Sequence, residues 1–570
     1  MIRLFSVIFL FVMGSAFPSS EGYNTIIPSH QEDETASNHI LYLMHTGETA
    51  KALQAYQDFR QKNCANDFEL IEQIGLILLD QGYRSRDPEI ERLTLFGAGI
   101  STNEKALYIL EEGIASDDPE QQMIALSFLS RYQNDRADLA IHRAMASNFL
   151  LIRLETAFKL ASRKDPRAAS QTESLMAKVP EVIWPLFPQI YAESGSPEAK
   201  KILRKLLAHK DEAVRIASIL TLAEHGHDDF LPHIRRMASH HGAAQQEACA
   251  TALGLLKDES SAGRLLLLAK TPHPNVKLAA LASLYRLGRL ESSKEIAALA
   301  NTGNVFAVKL LGAIPGSEET LVKLLENQNL QIKVNAAAAL LELRDSRALP
   351  VIAQILIKNN KDIAIGKISS QGTTLSALKT TPSAQQNFEN DPIGLEMSLN
   401  LREDLLTKVV ELPENYFIAM AHAILEKQQN DLVPLLVVLM ENHPTETVIA
   451  LLKKQQQKVG APLIRNYCNL ALYRLKQPGP YAQNLLDWVA KQSNIDLIQF
   501  RPVLPIGQRE NIETSFELTP KETSRLLVEA FESFVSGQDD NGINTLISII
   551  QTGNPKNKYA LIGLLIRAIQ

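Results

Sequence analysis

Asn103, Asn134, Asp165, Ser196 and Asp258 stand on one ladder with steps of 31 residues, and His227 occupies the remaining rung. The rungs open the stretches NEKA, NDRA, DPRA, SPEA, DESS and HDDF. Asn, Asp and Ser are strong helix caps, because a side-chain oxygen accepts from the free N–H groups of the first turn. Pro166 and Pro197 follow two of the rungs, at the first helical position, where a missing N–H costs nothing. The ladder therefore predicts a helix start every 31 residues. A second marker runs in step with it. Arg153, Arg215 and Lys277 stand 62 residues apart inside apolar helical runs, and Gln122 and Gln246 take the same register. Lys333 continues the series after the step shortens towards 28, with Ser317 and Asp345 as the matching caps. Two helices per period follow, and a unit of that size cannot bury its apolar stripe alone. The fold class is all-α, an α-solenoid of stacked two-helix units with a period of about 31 residues.

The best-formed units are DPRA at 165–168, DEAVRIAS at 211–218, HPNVKLAA at 273–280 and RDSRALP at 344–350. They resemble HEAT repeats of the short bacterial type found also in phycobilisome lyases, and the resemblance covers about residues 103–360. It implies a fold and a ladder of contacts between successive units, and it carries no activity. In such a hairpin the stem of Arg215 lies over apolar neighbours while its head reaches the inter-helix turn. Asp211, one turn earlier, is its expected partner. Ala217, Ala248 and Ala279 are small enough to allow close helix approach.

The rest of the 570-residue chain divides around this array. Residues 1–16 read as a Sec-type signal peptide: Arg3, an apolar core from Leu4 to Met13, then Gly14-Ser15-Ala16. That core is shorter than the roughly 20 residues of a membrane span. The expected destination is periplasmic or secreted, with membrane association if the signal stays uncleaved. Residues 38–102 form a helical cap, within which LMHTGETAKALQAYQDF resembles half a tetratricopeptide unit. Residues 366–392 are rich in Ser, Thr, Gln and Asn and read as a polar linker or loop. Residues 393–570 resume helical patterning with degenerate repeats, since IRNYCNLALYRL at 464–475 echoes VKLAALASLYRL at 276–287. RPVLP at 501–505 is a helix break, and Thr519 to Glu522 read as a capping box. YALIGLLIRAIQ is expected to pack as the last helix of the stack. Terminal repeats are expected to be atypical, because one face meets water.

Seven of the 13 histidines lie between 209 and 273, with His225, His227, Asp228 and His233 close in sequence. Imidazole and carboxylate suit zinc or iron. HEAT-repeat hydroxylases, however, hold iron with repeated His-Glu pairs, and no His-Glu dipeptide occurs here. The favoured reading is structural: Gly226 ends a helix, His227 takes the cap rung, and Asp228 and Asp229 face the positive end of the next helix dipole. No nucleotide-binding glycine motif, nucleophile elbow or catalytic triad pattern is found. Cys64, Cys249 and Cys468 have no CxxC spacing, which excludes a disulfide framework or a structural zinc ribbon. His422 and Cys468 have no sequence reason to meet. Lys201, Arg204 and Lys205 share one helical side and read as a solvated face. A formal net charge of -6 argues against a nucleic-acid partner. The functional expectation is thus an exported scaffold or adaptor that binds another protein, without cofactor, catalytic or metal residues and with no stable membrane span after signal cleavage. The alternative is a metal-dependent or lyase-like enzyme with a site near residues 225–233.

Overall fold

A computed structural model describes residues 30–240, 242–357, 402–500, 516–518 and 522–569. The signal segment 1–16, the polar stretch 366–392, RPVLP at 501–505 and Thr519 to Lys521 lie outside the described residues. The chain divides into two compact units, Met1–Leu70 and Ile71–Gln570. In the first, helices His30–His45 and Thr49–Asn63 form a hairpin across Gly47, whose φ of 79° is open to a residue without Cβ. Ala52, Leu53, Tyr56 and Phe59 make the buried stripe of the second helix.

The second unit is built of helix pairs. Pro197–Leu207 precedes Glu212–Glu224, Leu231–Met237 precedes Ala243–Leu255, and Ala262–Leu268 precedes Pro274–Arg286. The first helix of each pair is amphipathic: Pro197–Leu207 buries Ala199, Ile202, Leu203, Leu206 and Leu207 and leaves Lys201, Arg204 and Lys205 exposed. The second helices pack on one another, Glu212–Glu224 against Ala243–Leu255 and that in turn against Pro274–Arg286. They form a continuous layer and are buried over more than one face.

The predicted rungs all begin helical turns, but their chemistry diverges. Asn103 accepts from the Lys105 N–H, Asn134 from Ala137, Asp165 from Arg167 and Ser196 from Ala199. His227 and Asp258 occupy the same position without a side-chain cap bond. The residues before the rungs at 165, 196, 227 and 258, and Gly288 one period further on, carry a feature that the rung pattern alone did not predict. Lys164, Gly195, Gly226, Lys257 and Gly288 have φ values of 57°, 63°, 70°, 53° and 81°, again 31 residues apart. Each ends the second helix of a unit in the left-handed conformation and turns the chain into the next cap. Two of the five are lysines, for which that conformation costs about 1–2 kcal/mol.

Polar contacts between units recur at close to one period. Gln121 donates to Glu91 over 30 residues, Arg163 to the Tyr132 carbonyl over 31, Ser283 to the Ala250 carbonyl over 33, and Asn335 to the Val305 carbonyl over 30. The C-terminal helices keep this habit: Thr445 donates to Glu414 over 31 residues and Lys458 to Glu426 over 32. The LYRL echo is structural as well. Pro274–Arg286 and Pro462–Arg474 each have 13 residues, start on Pro, and are followed by the C-cap residues Leu287 and Leu475. Gly288 and Lys476 then take positive φ. One short antiparallel ladder, Ile498–Phe500 with Phe516–Leu518, interrupts the helices.

The last apolar run packs as the final described helix, as expected, and it also reaches further. Lys558–Ala568 lies on Glu522–Ser536 and Asp540–Thr552, the helices before it, and along Pro88–Ser101, from the beginning of the same unit. Both helices are buried on every side over most of their length, with Leu93 to Ser101 and Ala560 to Ile566 buried without a break. A helix buried all round needs neighbours all round, so each of these helices needs the other. Leu561, Ile562, Leu564, Leu565 and Ile566 are each at most 5% exposed. At roughly 1.5–3 kcal/mol per side chain, their burial amounts to on the order of 10 kcal/mol as an upper bound.

Candidate functional site

Arg215 answers the question raised by a cation in an apolar helix. Its guanidinium donates to the carbonyls of His209 and Lys210, both at 2.8 Å, and to Gln245 Oε1 of the next unit, also at 2.8 Å. Asp211 is not its partner; that carboxylate caps its own helix through the Ala213 N–H. Gln122 and Gln246, at the equivalent register, donate to the carbonyls of Ser116 and His240. In all three cases the acceptor lies six residues upstream, in the turn between the paired helices. At 122, 215 and 246 the register therefore holds a turn clamp, whereas Lys277, in the same register, pairs with Glu295 and the Arg153 Nε is buried without a partner. The three small residues behave unequally: Ala248 is buried, whereas Ala217 and Ala279 are half-buried.

The histidine cluster is likewise drawn into contacts between units. His225 ends Glu212–Glu224, and its Nδ1 lies 3.5 Å from Glu193 Oε2 of the preceding unit. Burial holds its pKa below the ordinary value, and the neighbouring His227 and Lys164 act the same way against the pull of Glu193. The rings of His225 and His227 stack with centroids 6.4 Å apart. His227 Nε2 is 3.0 Å from the Ala192 carbonyl, so that nitrogen is engaged by backbone. Asp229 pairs with Lys200 at 3.1 Å and stands 4.0 Å from His227 Nδ1. His233 packs on Phe230 with centroids 6.2 Å apart, and its Nδ1 is buried without a partner. Metal ligation would need nitrogens and oxygens all about 2 Å from one point. Among the described residues no three His, Cys, Asp or Glu side chains converge in that way. Elsewhere in the cluster, His209 packs on Trp184 and His240 accepts from the Gly242 N–H, while His241 lies outside the described residues.

The other singled-out residues are dispersed. Arg204 lies over the Phe230 ring, and Lys205 meets Glu173 in an exposed pair. Cys64 is exposed, while Cys249 and Cys468 are buried, and burial pushes both buried thiols up to about 12. His422 is near Glu426 at 3.9 Å on the surface, in a different environment from the buried Cys468.

Two groupings have no signature in the sequence. Lys309, Glu342 and Lys408 converge, with both ammonium groups on Glu342 Oε1 and Lys408 arriving from 66 residues away. Glu247, half-buried on Ala243–Leu255, has its carboxyl pushed up to about 7 by burial. Nothing in QQEACA signals this, because burial is set by how the helix is packed and not by its local sequence. None of the described helices is long and apolar enough to cross a membrane.

No protein-family model and no curated protein matches this chain. Among solved structures, the complex of CpcE and CpcF of phycocyanin lyase from Nostoc sp. PCC7120 is 18% identical, covering 43% of this chain and 92% of that one, with a TM-score of 0.25. Kap121p is 12% identical over 94% of this chain and 64% of its own, with a TM-score of 0.36. Kap121p bound to Nup53p is 10% identical over 90% and 62%, with a TM-score of 0.34. What this protein's own geometry establishes is an all-α array of two-helix, HEAT-like repeats, in which the residues marked by sequence register join one repeat to the next.

Proposed function

We propose that the protein is an exported, non-catalytic scaffold that binds another protein along its repeat surface. One observation carries this reading. The residues most suited to chemistry, His225, His227, Glu193, Asp229 and Arg215, are engaged in repeat-to-repeat and turn contacts. They serve the continuity of a surface rather than one reacting centre. Side chains spread over many equivalent helices suit recognition of an extended partner, where a few anchors set affinity and the rest supply fit. Residues 1–16 act as the export signal in this reading, with a periplasmic or secreted destination. Residues 38–102 serve as the N-terminal cap, 103–360 as the array, 366–392 as a polar linker and 393–570 as further repeats.

The test is affinity purification of the full chain after crosslinking in its native cell, in parallel with a chain lacking 366–392. Support requires one protein recovered at fixed stoichiometry, which then rebinds the purified chain without being altered. Stoichiometric iron or zinc in the purified protein, lost in a His225→Ala variant, would instead favour a metal-dependent enzyme centred on residues 225–233.

A further inference from the structure

The contact between the ends of the second unit is made through backbone rather than through side chains alone. A Cβ on Gly97 would stand 2.2 Å from the Tyr559 carbonyl oxygen, and one on Gly563 would stand 2.2 Å from the Gly97 carbonyl oxygen. Real Cβ atoms do not come so close, so the two helices cross where neither has a side chain. Two more glycines face the same helix. A Cβ on Gly82 would meet the Tyr559 ring at 2.3 Å, and one on Gly75 would meet Ile566 at 2.9 Å. At the rim Lys556 pairs with Glu89 at 2.8 Å. Arg567 pairs with Glu532, which ties the closing helix to Glu522–Ser536 behind it. A repeat array whose ends do not meet has no use for three glycines facing one distant helix and a fourth on that helix facing back.

We infer that Lys558–Ala568 is a clasp: it is the missing neighbour of the first repeat, and the two ends of the Ile71–Gln570 unit are held or released together. In an ordinary array each repeat depends only on its sequence neighbours, and ends fray independently. Here release of the final helix strips the apolar face of Pro88–Ser101, and release of Pro88–Ser101 strips the final helix.

Hydrogen exchange on the full chain tests this. In Gly563→Leu, exchange should accelerate at least about tenfold in residues 71–101 as well as in 558–568, while 212–286 stays protected. Gly97→Leu should give the same pattern from the other side. Gly254→Leu is the control, since its Cβ would meet Ser283 Oγ at 2.2 Å within the middle of the array; it should loosen 243–286 and leave both ends unchanged. The milder arm is Lys556→Glu, which should raise exchange in 88–101 by about twofold at low salt and be restored in the Glu89→Lys, Lys556→Glu double variant. The inference is overturned if each glycine variant loosens only its own end, or if the charge swap restores nothing.

Discussion

Asp258 stands on the cap ladder but does no capping, and that departure can be measured. Its carboxylate is 4% exposed and receives Arg235 Nε at 2.8 Å and Nη2 at 2.7 Å, with Ser260 Oγ at 2.7 Å and Ser261 Oγ at 2.5 Å. The Arg235 hydrogen bonds hold its pKa down to about 2 against burial, helped by the two serines. A fall from 3.8 to about 2 corresponds to at most about 2.4 kcal/mol. Because the Arg235 side chain is 43% exposed, solvent screening brings the expected contribution to about 1–1.5 kcal/mol. The folded pKa is depressed, so the contribution is complete above the unfolded value near 4 and is lost as pH falls towards 2, with half gone near about pH 3. Asp258→Asn removes the charge and with it the pH dependence. Cys249 is a built-in probe, since it is buried on Ala243–Leu255, the helix that leads into Asp258. Labelling with 4,4′-dithiodipyridine, which reacts at acid pH, reports opening of this repeat. At pH 7 the variant should label about 5–10 times faster than the parent, since 1.4 kcal/mol is tenfold. The ratio should shrink between pH 4 and pH 3. A ratio that does not change with pH, or a variant that labels no faster at pH 7, would refute the electrostatic account.

The same probe reads Lys257→Gly, which relieves a left-handed lysine at φ 53°. Net stabilisation of about 0.5–1 kcal/mol should slow Cys249 labelling two- to fivefold. Arg215→Met keeps the stem and removes the turn clamp, at a cost of about 1.5–3 kcal/mol. Accelerated amide exchange should centre on 209–213, and Arg215→Lys should not restore protection, because one ammonium cannot span the three acceptors. Native protein should show one fast thiol of three, Cys64, with Cys249 and Cys468 reacting only after unfolding. Two fast thiols would contradict the packing described.

The sequence by itself determined where helices begin, because capping is local. Asn134 serves a donor three residues away and Asp165 one two residues away, so spacing and residue type suffice. It also located the clamp register at 122, 215 and 246, since a side chain and a carbonyl six residues apart belong to the same hairpin. Partners across units were decided only by tertiary structure. Arg215 chose Gln245 over Asp211 because the next unit places an amide oxygen within reach, while the nearer carboxylate was already committed to its own helix. Asp258 was turned from cap to ion-pair acceptor by the approach of Arg235, and Lys408 was brought to Glu342 across 66 residues. The joining of the two ends was the least legible feature of all. Gly75, Gly82, Gly97 and Gly563 are unremarkable helix glycines until two distant segments are laid together, since only a backbone already in place can show which Cβ has no room.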